Sequence, residues 1–228
     1  MKPKKIVFLF DVDNTLLDND QVVADLMRHL EREIGSERQQ RYWAYFEQLR
    51  TELGYADYLG ALQRYRLEYP RDSHILAVSN YLIDYPFASR LFPNSLGVVE
   101  YAGRLGQTVI VSDGDVVFQP LKVRRSGLMD AFDSRVLIYI HKEHELDDIA
   151  ARYPADHYVL IDDKVRILAA VKSVWNSRVT TVFPRQGHYA MDHKEVAKYR
   201  APDLLIEHIA MLLDYDLPAL VNAARLVA

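Results

Sequence analysis

Five short stretches of the chain are almost wholly apolar or β-branched: Ile6–Phe10, Thr108–Val111, Val136–Ile140, Tyr158–Ile161 and Val179–Phe183. None alternates apolar with polar residues in the manner of a half-exposed strand. A strand without a polar face has to be covered on both sides, and a parallel sheet sandwiched between helices does this. Helix-length segments separate the later runs, at Val116–Ser126, Glu145–Tyr153 and Val165–Val174. The repetition of strand and helix predicts an α/β fold built on a doubly wound parallel sheet.

Residues 19–91 break this rhythm with a helical period. Val22, Leu26, Leu30 and Ile34 fall on one helical face, and Tyr42, Phe46, Leu49 and Leu53 on another. Ser36 with Gln39 three residues on reads as a capping box that opens the second helix. Gly54 and Pro70 punctuate the segment. An all-helical insertion (19–91) between the first strand and the rest of the sheet is expected, with 1–18 and 92–228 forming the α/β core. After Pro202 a short apolar run precedes helix-like sequence.

Composition excludes several classes. The 228 residues carry 28 Lys and Arg against 32 Asp and Glu, a net charge of -4, so there is no polybasic face for nucleic acid. With no cysteine, disulfide scaffolds, thiolate zinc sites and cysteine nucleophiles are ruled out. No apolar run approaches the roughly 20 residues that span a bilayer. The start, MKPKKIVFLF, mimics a signal peptide, but its apolar run is short and ends in acids instead of a cleavage site. It reads as the first strand of a cytoplasmic protein without a membrane partner.

The residues just past each strand share one chemistry. Ligands of open parallel sheets bind beyond the carboxyl ends of the strands. There the sequence places Asp11 and Asp13 after Phe10, Ser112 and Asp113 after Val111, His141 and Lys142 after Ile140, and Asp162 and Asp163 after Ile161. Any one of these acids alone reads as a turn former or helix cap. Four strand ends converging on one rim read as a site.

The residues DVDNT after a hydrophobic strand resemble the first motif of the haloacid dehalogenase-like (HAD) hydrolase superfamily. VIVSDGD is similar to its second motif, Lys142 stands where the third-motif lysine is expected, and YVLIDDK resembles the acidic fourth motif. The resemblance covers nearly the whole chain. It implies a Rossmann-like core with an α-helical C1 cap after the first motif. The fourth motif departs from the common Gly-Asp form, because Asp162 stands over the glycine. That makes Asp163 the better metal ligand of the two, with Asp162 the other candidate.

The resemblance further implies a Mg²⁺-dependent phosphatase acting on a small phosphorylated metabolite, as a monomer or homodimer. Asp11 would be the nucleophile that forms an aspartyl-phosphate, and Asp13 the general acid and base. Lys142 would offset negative charge. Asp11, the Asp13 carbonyl and Asp163 would ligate metal. Ser112 and the backbone amides near Asp113 and Gly114 would hold phosphate oxygens. Thr15 would fix the loop after the first strand. A dehalogenase normally lacks an acid at the Asp13 position, whereas a phosphomutase keeps it. A regulatory module with an inactive phosphate pocket would have no need of the full acid and lysine set. A receiver-type phosphoacceptor domain carries its Asp on a later strand.

Other residues read plainly. His141 and His144 take surface or capping roles, and Lys122 belongs to a solvated helix face. The loop Pro184–Ala190 lies on the same rim, within reach of substrate. Among cap residues, Arg41, Tyr42, Tyr55 and Arg64 are the candidates to face the pocket. No lysine occurs between Lys5 and Lys122. The chain therefore lacks the cap lysine with which phosphonate-cleaving relatives form a Schiff base, and P–O esters are expected as substrates.

Overall fold

The structure is a computed structural model that describes residues 5–217 and 219. Six strands form one sheet: β1 Ile6–Phe10, β2 Gln107–Asp113, β3 Val136–Tyr139, β4 His157–Ile161, β5 Val179–Pro184 and β6 Leu204–Ile206. Their order is β3-β2-β1-β4-β5-β6, and every pair is parallel. The helices are α1 Asn19–Leu53, α2 Tyr58–Glu68, α3 Ile75–Asp84, α4 Ser95–Leu105, α5 Phe118–Arg125, α6 Leu128–Ala131, α7 Leu146–Arg152, α8 Val165–Trp175, α9 Gly187–Met191 and α10 His193–Val196. No helix among the described residues is long and apolar enough to cross a membrane.

The unbroken apolar runs are explained by two cores, one on each face of the sheet. In β1, Phe8 and Phe10 enter one core while Val7 and Leu9 enter the other. All four are at most 1 % exposed, and each contributes about 1.5–3 kcal/mol by leaving water. β3 lies at the sheet edge and ends at Tyr139, one residue short of the predicted run, leaving Ile140 exposed. The apolar run after Pro202 forms the short opposite edge, β6.

β1 lies at the centre of the sheet, between β2 and β4. The chain winds outward from β1 through β2 and β3, then returns to lay β4 on the other side of β1. That reversal leaves a crevice beyond the carboxyl ends of β1 and β4. Phe10 is level with Ile161, and the Asp11 amide donates to the Ile161 carbonyl at 3.0 Å. Asp11 and Asp162 therefore stand side by side, one residue past the ladder.

α1 to α3 lie between β1 and β2. Asp18 caps α1 by accepting from the Gln21 amide at 2.9 Å, and Gly54 ends it in the left-handed region. A break is present where the two-helix reading expects one, yet its cause differs. Gly35, with φ 80° and ψ 162°, leaves helical geometry and kinks a helix that otherwise continues. The Ser36 hydroxyl accepts from the Gln40 side chain instead of serving in a capping box with Gln39. The insertion meets the core through rings: Phe46 stacks on Tyr58, and Tyr58 packs on Phe118 of α5, with centroids 4.7 and 5.1 Å apart.

Candidate active site

Asp11, Asp162 and Asp163 each bring one carboxylate oxygen within 4.8 Å of the others, and all three residues are buried. Lys142 enters this cluster from the turn after β3. Its Nζ donates to Asp11 Oδ1 at 2.5 Å and to the Val111 carbonyl at 3.2 Å. It also lies 2.6 Å from Asp162 Oδ2, an ion pair outside hydrogen-bond geometry. Burial alone would lower the Lys142 ammonium. The charges of Asp11, Asp162 and Asp113 outweigh burial and hold it well above the ordinary lysine value.

The two acids of the fourth motif differ in their partners. Asp162 accepts from the Lys164 amide at 2.8 Å and pairs with Lys142. Burial pushes its carboxyl up to about 6 against the pull of Lys142. Asp163 has no donor for either carboxylate oxygen. Burial raises it well above the usual range, opposed by Lys164. Its amide donates to Thr15 Oγ1 at 3.0 Å, so Thr15 ties the loop after β1 to the loop after β4. A fully buried carboxylate without donors is costly unless a cation occupies its oxygens. Hard oxygens from Asp11 and Asp163 fit a small divalent metal ion.

Asp13 points elsewhere. Its carboxylate receives Lys122 Nζ at 2.6 and 2.9 Å, and the same ammonium donates to Asn19 Oδ1 at 2.9 Å. The solvated-face reading of Lys122 is therefore wrong: the residue is 1 % exposed. α5 turns it inward beneath the loop after β1, where two oxygen-bearing side chains saturate it. Gln119, one turn earlier, donates to Ser112 Oγ at 3.0 Å, and Ser112 Oγ lies 3.4 Å from Asp11 Oδ1.

The second motif needs one correction. The Gly114 amide donates to the Tyr139 carbonyl at 2.9 Å, so it is not free for phosphate. What Gly114 supplies is space, since a Cβ there would stand 2.8 Å from Gln119 Cβ. Asp113 accepts from the Lys142 amide at 2.8 Å and so positions the lysine. Burial raises its carboxyl, with Lys142 opposing. His141 and His144 are exposed and face each other edge to face, apart from the acid cluster.

A cavity of about 530 Å³ lies between the core and the insertion. Asp13, Asp113, Asp163 and Lys164 line it from the core, and Trp43, Phe46, Glu47, Arg50, Tyr55 and Tyr58 from the insertion. Of the four expected cap residues, only Tyr55 is among them. Arg41 pairs with Glu68, and Arg64 pairs with Glu52. Tyr42 is buried, and its hydroxyl donates to the Tyr58 carbonyl at 2.8 Å. Sequence reasoning passed over Trp43, Glu47 and Arg50. With Phe46 they recur at i, i+3, i+4 and i+7, a stripe beside the buried face of α1. The loop after β5 does reach the cavity, through His188 and Tyr189. Tyr189 accepts from Arg50 at 2.7 Å, and the His188 amide donates to Asp20 at 2.7 Å. Gly187 turns that loop at φ 70°, where a Cβ would stand 2.5 Å from the Asn14 side chain.

The sequence matches the haloacid dehalogenase-like hydrolase family over residues 7–174. No curated protein matches it. Among solved structures, a candidate haloacid dehalogenase-like hydrolase from Burkholderia xenovorans LB400 is 60% identical, covering 95% of this chain and 98% of its own, with a TM-score of 0.89. The candidate HAD hydrolase YfnB of Bacillus subtilis, solved with magnesium bound, is 14% identical over 97% of this chain and 100% of its own, with a TM-score of 0.61. The L-2-haloacid dehalogenase of Xanthobacter autotrophicus is 18% identical over 97% of both chains, with a TM-score of 0.55. The last two share the fold with this chain at low identity. The chain belongs to the haloacid dehalogenase-like hydrolase family and is an enzyme of that class.

Proposed function

We propose that the protein is a phosphatase that hydrolyses small-molecule phosphate monoesters, with Asp11 as nucleophile, Mg²⁺ as cofactor and residues 19–91 as the cap over the site. The observation that carries this reading is the placement of Asp13. Two residues past the nucleophile, its carboxylate lies on the cavity wall, held by Lys122 and apart from the buried acids. An alkoxide leaving group needs a proton, and a halide does not. An acid fixed on the cavity wall two residues past the nucleophile suits a phosphate ester better than a haloacid.

Asp11 and Asp163 would hold the metal, since Asp162 is already engaged by Lys142 and by the Lys164 amide. When bound, Mg²⁺ supplies the positive charge that allows an anionic carboxylate to approach an anionic phosphoryl group. Lys142 fixes Asp11 through Oδ1 and shares its negative charge. Asp13, a carboxylate in its ion pair with Lys122, takes up a proton as the ester binds. An Asp11 oxygen then attacks phosphorus, the P–O bond to the alcohol breaks, and Asp13 passes that proton to the departing oxygen. Asp13 then takes a proton from the water that attacks the aspartyl-phosphate, which frees phosphate and restores Asp11. Lys164 lines the cavity beside Asp163, and Ser112 Oγ stands 3.4 Å from Asp11 Oδ1.

The test is phosphate release from a panel of phosphate monoesters, with Mg²⁺ and with EDTA, beside halide release from 2-chloropropionate. Metal-dependent phosphate release without halide release is expected. Halide release without phosphate release would overturn the reading.

A further inference from the structure

The wall that the insertion turns to the cavity is made of rings. Trp43 stacks on Phe46 with centroids 4.6 Å apart, and Phe46 stacks on Tyr58 at 4.7 Å. Val23, Tyr55 and Ala56 extend that wall. Its polar side chains include Asn19 and Asp20 as well as Glu47 and Arg50, an ion pair at 3.5 Å with both side chains more than 40 % exposed. The row of rings offers a flat apolar surface on which a planar ring can stack, and Trp43 is only half-buried.

We propose that the substrate is a phosphate ester whose alcohol carries a planar aromatic or heteroaromatic ring. The ring stacks against Trp43 and turns its polar edge to Glu47 and Arg50. The inference rests on the phosphomonoesterase reading for its chemistry and on the cavity wall for its specificity. The cavity of about 530 Å³ is of the size that holds small organic ligands, roughly 300–1,000 Å³. Nucleoside monophosphates and phosphorylated pyridine alcohols share this chemistry.

The chain has two tryptophans. Trp175 is stacked on Tyr158 in the core on the other face of the sheet, so Trp43 is the reporter for the cavity. Binding is read by tryptophan fluorescence in the full chain with Asp11→Asn, which cannot turn over. The probes are adenosine 5′-monophosphate, pyridoxine 5′-phosphate, and glycerol 3-phosphate as the ringless control. Quenching by either ring ester supports the proposal and tells the two sources apart. Trp43→Phe removes the reporter and should abolish the quench. Trp43→Leu should raise KM for the ring ester roughly 5- to 150-fold with little change in kcat. Equal affinity for glycerol 3-phosphate, or no quench from either ring ester, overturns the proposal. Should Trp43→Leu fail to fold, a quench that persists in Trp43→Phe overturns it as well. Quenching without phosphate release from any ester by the native enzyme keeps the ring site and rejects the phosphomonoesterase reading instead.

Discussion

Replacing Lys122 with methionine removes an ammonium and keeps most of the side-chain volume. Lys122 is 1 % exposed, and the Asp13 side chain is 27 % exposed. The ammonium makes two contacts to Asp13 and one to Asn19. Removing one partner of a fully buried pair typically costs about 3–5 kcal/mol. Asp13 borders the cavity, so water can reach one side of the stranded carboxylate. The expected loss is therefore smaller, about 2–3 kcal/mol. Urea denaturation measures this directly. The chemistry should suffer as well. Asp13, no longer fixed, should lose much of the proton-transfer advantage, which is worth about 10²–10⁴ in rate. The loss should be larger for alkyl esters than for p-nitrophenyl phosphate, whose leaving group departs unprotonated. Because Lys122 acts through Asp13, Lys122→Met in an Asp13→Asn background should cost little further rate. Additive losses in that cycle, or a variant as stable as the parent, would refute the reasoning.

Asp163→Asn should leave the metal-free protein melting no lower than the metal-free parent, because the lost carboxylate has no donor. Mg²⁺ should raise the melting temperature of the parent and not of the variant, which thermal scans with Mg²⁺ and with EDTA would show. Asp72 braces the insertion: it accepts from Tyr65 at 2.5 Å, Arg38 at 2.9 Å and the His74 amide at 2.9 Å. Burial raises its carboxyl, but these donors outweigh burial and bring it down to about 2 from 3.8. A depressed acid stabilises the fold above its unfolded value and loses that contribution as pH falls through its folded one. Asp72→Asn should thus cost about 2 kcal/mol at pH 7, and urea midpoints should converge with the parent as pH falls from about 4 to 2.

The parts legible in the sequence are those whose signal is local. β1, β2, β4 and β5 are covered on both faces, so each is written as an unbroken apolar run. The edge strands β3 and β6 are the shortest of the described sheet, at four and three residues. The acids were legible because each comes directly after a strand, and parallel strands bring their ends to one rim. Lys122 was not, since its partner Asp13 is 109 positions away. Its neighbours Arg124 and Arg125 also give the helix a charged look. Tyr42 misled for a related reason: an aromatic on a helix carries no mark of whether its hydroxyl meets water or, as here, the Tyr58 carbonyl. The cavity stripe Trp43, Phe46, Glu47 and Arg50 has helical spacing. Apolar periodicity alone selects the neighbouring face, which packs the insertion.

The central claim is that Asp11 attacks phosphorus, and a single turnover in ¹⁸O-water tests it. With enzyme in excess over a phosphate ester, water should attack phosphorus of the aspartyl-phosphate. The heavy oxygen should then appear in the released phosphate, and the peptide containing Asp11 should keep its natural mass. Heavy oxygen in Asp11 would mean that water attacks the carboxyl carbon, as it must when the intermediate is an alkyl ester formed by displacing a halide. That result, or phosphate release at the native rate from Asp11→Asn, would contradict the account.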